Sequence, residues 1–494
     1  TDWKARFYYT WDWVSRLVQI GIWDCIHLEE ITEAEISNIR IQTDVDSAKK
    51  LTSLQLEAQV KAAPDSRVRV QLTDKENILR QANLSLQDFQ ENGLHWNSFP
   101  VELWYPNGMG AQKTYTLTVC LINADDEILD QQEKTIGFKQ IEWQSCQGAP
   151  AQADPWICVV NQQPIFLQGF NWTPILPNFA DCTEADYRLR LETYQQMGCN
   201  IMRMWGGAHL EKEIFFELCD QLGLMVWQEF PLSSSGVENY PPADPLSIKQ
   251  LSMIARSYVE RRHHHACLLM WGGGNELMEL EGDGIPVGLS HPLIGRFAQI
   301  VTQQDPQHRF VATSPSGPRF SANAADFGKG LHWDVHGPWK ADPDLDQWKK
   351  YWQDCDGLFH SEVGAPSASS VEIIHRTRGK FPAMPANGNN PLWQRTSWWI
   401  EWELFLEQGG TVNSTVEEYV HWSQERQAQA LSIVAGSLKD KFPRCGGVIF
   451  WMGHDCFPCT ANTSVIDVDG NRKPAADALE MIFRAPVKHS STAF

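Results

Sequence analysis

The chain has 494 residues, 43% of them hydrophobic, which is enough for sizeable cores in two or more domains. Its formal net charge of −20, without clustered Lys and Arg, argues against nucleic acid or an anionic membrane as partner and leaves a neutral or cationic substrate. No apolar run approaches the ~18 residues of a membrane span, and no signal peptide opens the chain.

Taken in chain order, residues 7–28 read as strands too few to close a sheet, so the sequence is expected to begin partway through a domain. That leaves the compartment open between the cytoplasm and a periplasmic or lysosome-like space. From about 29 to 147 come short alternating segments, among them Arg67-Val-Arg-Val-Gln-Leu72 and Tyr115-Thr-Leu-Thr-Val119, separated by turn signals such as Pro106-Asn-Gly-Met-Gly110. This is the pattern of a small antiparallel sandwich.

After Pro150 the texture changes to short, continuously apolar strands alternating with helices, as a parallel sheet buried on both faces requires. Strands are expected at 165–168, 200–204, 224–228, 267–271, 310–313, 333–335, 357–359 and 447–451. Eight in this rhythm predict a (β/α)₈ barrel over 148–494. Thr183-Glu-Ala-Asp186 reads as a capping box before a helix stopped by Gly198, and Ile214, Phe215, Leu218 and Leu222 share one face of a helix ended by Gly223.

Two carboxylates stand at barrel strand ends. Glu276 closes Trp271-Gly-Gly-Gly-Asn-Glu276 after the fourth strand, and Glu362 ends the seventh. A pair of acids at the C-terminal face of a barrel is what glycosidic bond cleavage needs, one to protonate the leaving oxygen and one to meet the anomeric carbon. The three glycines lack the spacing of a phosphate loop. Twelve scattered cysteines favour reduced, buried thiols; Cys456-Phe-Pro-Cys459 lacks the second ligand pair of a zinc site, and His263 to His265 point to different faces and read as a helix-end cluster. Many of the 22 tryptophans lie beside Gly, Asn, Asp or His, where indole faces suit the C–H faces of sugars.

These motifs resemble glycoside hydrolase family two, closest to its β-mannosidase branch. Trp271 to Glu276 is similar to the family's acid/base motif and Ser361-Glu-Val-Gly364 to its nucleophile motif. Tyr9-Thr-Trp-Asp-Trp13 with Arg16-Leu17, Gly169-Phe-Asn-Trp172, Met202-Arg-Met-Trp-Gly-Gly207 and Asp220 to Glu229 extend the resemblance over nearly the whole chain, with Glu229 where Asp is usual. The resemblance implies the C-terminal remnant of a jelly-roll sugar-binding domain at 1–28, an immunoglobulin-like β-sandwich at 29–147 and the catalytic barrel.

It also implies an exo-acting retaining β-glycosidase, a β-mannosidase first, with exo-β-glucosaminidase or β-galactosidase as alternatives and a catalytically inactive carbohydrate-binding member as the reading from another class. Glu362 is then the nucleophile and Glu276 the acid/base, their carboxyls roughly 5 to 5.5 Å apart. Arg203 is expected to keep Glu362 charged, Asn275 to read the sugar 2-hydroxyl, Trp451 and Trp205 to floor and flank the ring, and Asp12 to help hold the terminal sugar. His336, His454 and Asp455 either contact the sugar or knit loops together. The residues after Glu276, with acids at Glu279 and Glu281, leave the mannosidase pattern, and such acids near the pocket also suit an amino sugar, the exo-β-glucosaminidase alternative. The chemistry requires no metal or organic cofactor.

Overall fold

The computed structural model describes residues 4–12, 16–17, 19–26, 28, 34–46, 50–233, 239–280 and 284–487. Alternation of apolar and polar side chains builds the first unit from β1 Glu35–Asp46, β2 Leu51–Lys61, β3 Arg67–Asp74, β4 Asn77–Ser85, a helix α1 Leu86–Asn92, β5 Leu94–Phe99, β6 Tyr115–Ile122 and β7 Ile128–Ile136. Two antiparallel sheets result, β1-β2-β5 and β4-β3-β6-β7. Val68, Val70 and Leu72 of β3 stand opposite Leu121, Val119 and Leu117 of β6, and all six are buried in the layer between the sheets. The helix α1 is an addition to the expected all-β pattern. Ser85 Oγ caps it by accepting from Asp88 N, and Gly93 ends it at φ +65°, where a Cβ would also meet Leu56 O at 2.7 Å.

A small sheet follows, β8 Ile141–Gln144, β9 Ile157–Val160 and β10 Gln163–Ile165, in the order β10-β9-β8, so it straddles residue 147. Next come β11 Leu167–Trp172, α2 Glu184–Gln196, β12 Ile201–Met204, α3 Glu213–Leu222, β13 Met225–Glu229, α4 Pro245–Arg262, β14 Leu268–Gly272, α5 Pro292–Gln304 and β15 Arg309–Val311. The two-residue β16 Gly317–Pro318 precedes β17 His332–His336, α6 Leu345–Asp354, β18 Phe359–Val363, β19 Ser367–Ala368, α7 Val371–Thr377, α8 Trp402–Glu407, α9 Val416–Lys439, β20 Gly447–Phe450, β21 Ala461–Asn462 and α10 Pro474–Arg484.

Eight of these strands form the barrel, paired in the order β15-β14-β13-β12-β11-β20-β18-β17 and running parallel. At the far end of this order β16 pairs antiparallel with β17. The strand count matches the expectation; five strands shift by a single residue at one or both ends and three, the first, fifth and seventh, by more. Ile165 belongs to the β9–β10 hairpin, paired with Cys158, and the first barrel strand starts at Leu167. The fifth strand lies at 309–311, because beyond it the chain turns inward and Ser316 N donates to Asp334 Oδ2. The seventh continues through His360, Ser361 and Glu362, since near the barrel mouth polar side chains are carried on the ladder itself.

The expected capping box at Thr183 is formed with Asp186, and Gly223 ends α3 at φ +75°. Trp156, ahead of β9, stacks on Phe359 at 4.8 Å, and Arg309 lies 4.4 Å over Trp156, closing the end where the barrel strands begin. The sandwich is fixed to the barrel by Ile41 N donating to His263 Nε2, 3.1 Å, and by Trp104 Nε1 donating to the Asp220 carbonyl, 2.8 Å. His263 to His265 follow the last turn of α4; His265 lies between Asp220 and Glu213. All twelve cysteines are free thiols, eleven of them buried. No helix among the described residues is long and apolar enough to cross a membrane.

Among the described residues before Ala34, regular structure is a short 3-10 turn, Arg6–Tyr8, where strands were expected. Its backbone is committed to the barrel: Phe7 N donates to Gly207 O, and Ala5, Phe7 and Tyr8 bury against Trp205 and Trp451. Trp13 and Glu281 lie outside the described residues.

Candidate active site

The fourth strand ends in a turn that only small residues permit. A Cβ on Gly273 would sit 2.1 Å from the Ala312 carbonyl oxygen, and Gly274 has φ +152° with Leu232 O 2.7 Å from its would-be Cβ. The chain is then clamped from both sides, Asn275 N donating to Leu232 O at 2.8 Å and Glu276 N to Ser314 O at 2.7 Å. Glu276 itself takes φ +54°, a left-handed conformation that a non-glycine residue holds only when its surroundings enforce it. The strain falls on the residue whose carboxyl enters the barrel mouth.

Arg203, at the end of β12 and fully buried, organises the opposite wall. Its Nη1 donates to Glu362 Oε1 at 2.8 Å and to Asn171 Oδ1 at 2.6 Å; Nε and Nη2 donate to Glu229 Oε1, and Nη2 also to Asn275 Oδ1 at 2.7 Å. Because the guanidinium can only donate, it fixes the Asn275 amide with its oxygen inward and its NH₂ toward Ser233 Oγ and the cavity. Trp339 Nε1 donates to the second oxygen of Glu362 at 3.2 Å. His336 Nδ1 lies 2.9 Å from Glu276 Oε1 and 3.7 Å from Glu362 Oε2. One oxygen of each acid and a ring nitrogen of His336 all lie within 4.8 Å of one another.

Partners separate the two acids. Burial raises both, but Glu276 is raised well above the usual carboxylate range by burial and by the Glu362 charge, whereas Arg203 and Trp339 oppose the rise at Glu362. Of the two carboxyls Glu276 is therefore the one that favours the proton and Glu362 the one that favours the charge. His336 is held neutral by burial and by Arg203.

The acids open into a cavity of about 610 Å³ that contains Asp12, Trp205, Asn275 and Trp451 of the residues singled out from the sequence. Trp205 and Trp451 meet edge to face at 5.9 Å. Asp12 accepts from Trp398 Nε1 at 2.8 Å, and burial pushes its carboxyl up to about 6. Asp455, His454 and His336 are not among the residues that line this cavity. Asp455 is buried behind the mouth, accepting from Ser464 Oγ, and His454 is spent on Tyr194 and the Thr173 carbonyl, so both knit loops together. His336 supports Glu276 rather than lining the cavity. Glu279 is likewise committed to its own loop, accepting from Gly288 N.

Sequence reasoning missed the aromatic roof. Trp339, Trp398 and Trp399 line the cavity, with Phe320, Met278, Asn239 and Trp11. Trp398 and Trp399 come from a helical excursion between β18 and β20 whose own core holds Trp393, Trp402, Phe405 and Tyr419. The available signal was the doublet itself, paired indoles outside any periodic apolar run.

Residues 34–139 match the model of glycosyl hydrolases family 2, and residues 156–299 match that family's TIM barrel domain, together about half of the chain. The chain belongs to glycosyl hydrolase family 2. Relatives within reach include β-mannosidase B of Thermothelomyces thermophilus, 26% identical over 94% of this chain, and of Aspergillus niger, 24% identical over 97%. The chain spans 56% and 58% of those two proteins. Its fold is shared with a β-D-mannosidase from Dictyoglomus thermophilum at TM-score 0.79 and 23% identity, covering 97% of this chain and 58% of that one. An exo-chitosanase from Amycolatopsis orientalis gives TM-score 0.64 at 15% identity, covering 91% and 53%. The family model for the barrel ends at 299, so Glu276 falls inside the matched span and Glu362 beyond it.

Proposed function

We propose that this family 2 chain is the catalytic part of a retaining, exo-acting β-glycosidase that removes terminal β-mannosyl residues by double displacement. The observation that carries the reading is the carboxyl pair: two acids within 4.8 Å, one paired with Arg203 and one not. That spacing is shorter than the roughly 6.5 to 9.5 Å at which an inverting pair stands to admit a water beside the sugar, and it suits nucleophilic attack instead.

Glu362, ionised by Arg203, attacks the anomeric carbon. Glu276 gives its proton to the departing oxygen and then takes one from the water that releases the sugar. The donor NH₂ of Asn275 suits the sugar 2-hydroxyl, and Asp12 suits an outer hydroxyl. Trp205, Trp339, Trp398, Trp399 and Trp451 offer indole surface to the C–H faces of one pyranose, in a cavity whose size and roof suit a chain end. The relatives named β-mannosidase support mannose; the commitment of Glu279 to its own loop removes one argument for an amino sugar.

Side-by-side assay of aryl β-mannoside, β-glucosaminide and β-galactoside tests this, with Glu362→Ala as control. Preference for the mannoside, abolished in the control, is expected. Preference for either other sugar overturns the specificity. Sugar binding without turnover supports the carbohydrate-binding alternative, and turnover surviving in Glu362→Ala removes the nucleophile assignment.

A further inference from the structure

Behind Glu276, on the side away from the cavity, a line of buried polar groups runs into the barrel wall. His336 Nδ1 is 2.9 Å from Glu276 Oε1, and its Nε2 is 3.0 Å from Ser314 Oγ. The Ser314 hydroxyl donates to Ser361 Oγ at 2.7 Å, and Ser361 donates in turn to Asp334 Oδ1. Period two along β17 places Asp334 and His336 on one face, and Ser361 of β18 with Ser314 beyond β15 fill the space between them. All four side chains are fully buried, and the double displacement does not use Asp334, Ser361 or Ser314.

The polarity of the line can be deduced. Each hydroxyl has one hydrogen. Ser361 spends its hydrogen on Asp334 and Ser314 spends its own on Ser361, so Ser314 can only accept from His336, which puts the ring hydrogen on Nε2. The ring is neutral, so Nδ1 presents a lone pair, and its contact with Glu276 requires a proton from the carboxyl. In this state Asp334 is charged and Glu276 protonated.

We propose that Asp334, Ser361, Ser314 and His336 form a proton relay that sets the protonation state of Glu276 without recourse to solvent. The inference rests on Glu276 being the acid/base. In the forward direction Asp334 Oδ1–H passes to Ser361 Oγ, the Ser361 hydrogen to Ser314 Oγ, the Ser314 hydrogen to His336 Nε2, and the Nδ1 hydrogen to Glu276 Oε1. One proton leaves one carboxyl and one reaches the other, with no charge left between them. The charged Asp334 then favours a proton on Glu276, which helps it recover one from the attacking water.

Charges that face the line stay in place through this exchange. Glu362 on β18, Glu229 on β13, Arg203 on β12 and Asp12 act on Glu276; Arg203 and Arg309 on β15 act on Asp334; Arg203 acts on His336. Burial, opposed by Ser361, the Ser316 N–H and Arg203, pushes Asp334 up to about 7, so it can carry a proton near neutrality.

The test uses the full chain. The protonated-carboxyl infrared band of Glu276, assigned by its absence in Glu276→Gln, is titrated in the parent, Asp334→Asn, Ser314→Ala and Ser314→Thr. Asp334→Asn removes a negative charge, and its amide donates into the line and turns every hydrogen toward Glu276. Both effects favour the Glu276 carboxylate, so its titration falls by about one pH unit, ten-fold in proton affinity. Ser314→Ala moves it in the same direction, and Ser314→Thr, which keeps the hydroxyl, restores it. The alkaline limb of kcat/KM for an alkyl mannoside moves with the band. A band unmoved in Asp334→Asn or Ser314→Ala, or a Thr variant that behaves like the Ala variant, overturns the relay. If Asp334→Asn does not fold, the Ser314 pair decides. Failure of the glycosidase reading is distinguishable, because it shows as no turnover while the band still shifts.

Discussion

Replacing Arg203 with Met removes a guanidinium that serves four side chains at once. Five hydrogen bonds, of 2.6 to 3.0 Å, are lost to Glu229, Glu362, Asn171 and Asn275, and the two carboxyls are left in a site where their side chains are 0% and 4% exposed. Met fills much of the same volume, so the cost comes from stranded charge, and breaking a buried ion pair from one side costs about 3–5 kcal/mol. Both acids are already raised by burial, with Arg203 opposing, so its removal raises them further. A carboxyl raised in the folded state keeps a proton that the unfolded chain has released, so stability is full below the ordinary glutamate pKa of about 4.3 and is lost as pH rises through the folded value. Urea unfolding of Arg203→Met should therefore show a larger deficit at pH 7.5 than at pH 5.5 (both roughly chosen to bracket the raised range). The acidic limb of kcat/KM should move up by at least about one pH unit, because the nucleophile now ionises later. Arg203→Lys restores charge but offers a single point donor to four acceptors, and should recover stability better than kcat. A deficit below about 1 kcal/mol that is independent of pH, or an unmoved acidic limb, would refute the reasoning.

Glu276→Ala should lose about 10²- to 10⁴-fold on alkyl glycosides, and far less on a dinitrophenyl glycoside whose leaving group needs no proton; equal losses on both would count against the acid role. Trp398→Phe removes the N–H donated to Asp12 and raises that carboxyl beyond about 6, so KM should climb at higher pH than in the parent as the solution is acidified. An unchanged KM profile would detach Asp12 from sugar binding. Gly273→Ala drives a Cβ to within 2.1 Å of a backbone oxygen, and should cost at least about 1–3 kcal/mol in thermal or urea unfolding; an unaltered Tm would show that the turn can relax.

The chain order of the acids, their strand numbers and the barrel itself were legible because each rests on a local signal. Apolar runs mark strands buried on both faces, and Gly-Gly-Gly-Asn-Glu marks a tight exit that larger residues would block. Strand limits were less legible. At 359–363 the ladder carries His, Ser and Glu, which read locally as the end of a strand and are tolerated there because Ser361 is paired with Asp334 and Glu362 with Arg203, while His360 packs against Trp352.

Function within the site was set by distance between segments far apart in sequence. Asp455 and His454 sit beside a strand end as plausibly as Asn275 does, yet the fold turns them toward Ser464 and Tyr194. Trp398 carried only the weak local mark of its doublet with Trp399, and comes over the mouth because an excursion between two barrel strands packs its own core. By itself the sequence determined which groups are available and which elements carry them, since propensity and periodicity act over a few residues. Only the tertiary structure brings Arg203 within 2.8 Å of Glu362 and sets Glu276 against His336 instead, and that difference in partners favours the charge on one acid and the proton on the other.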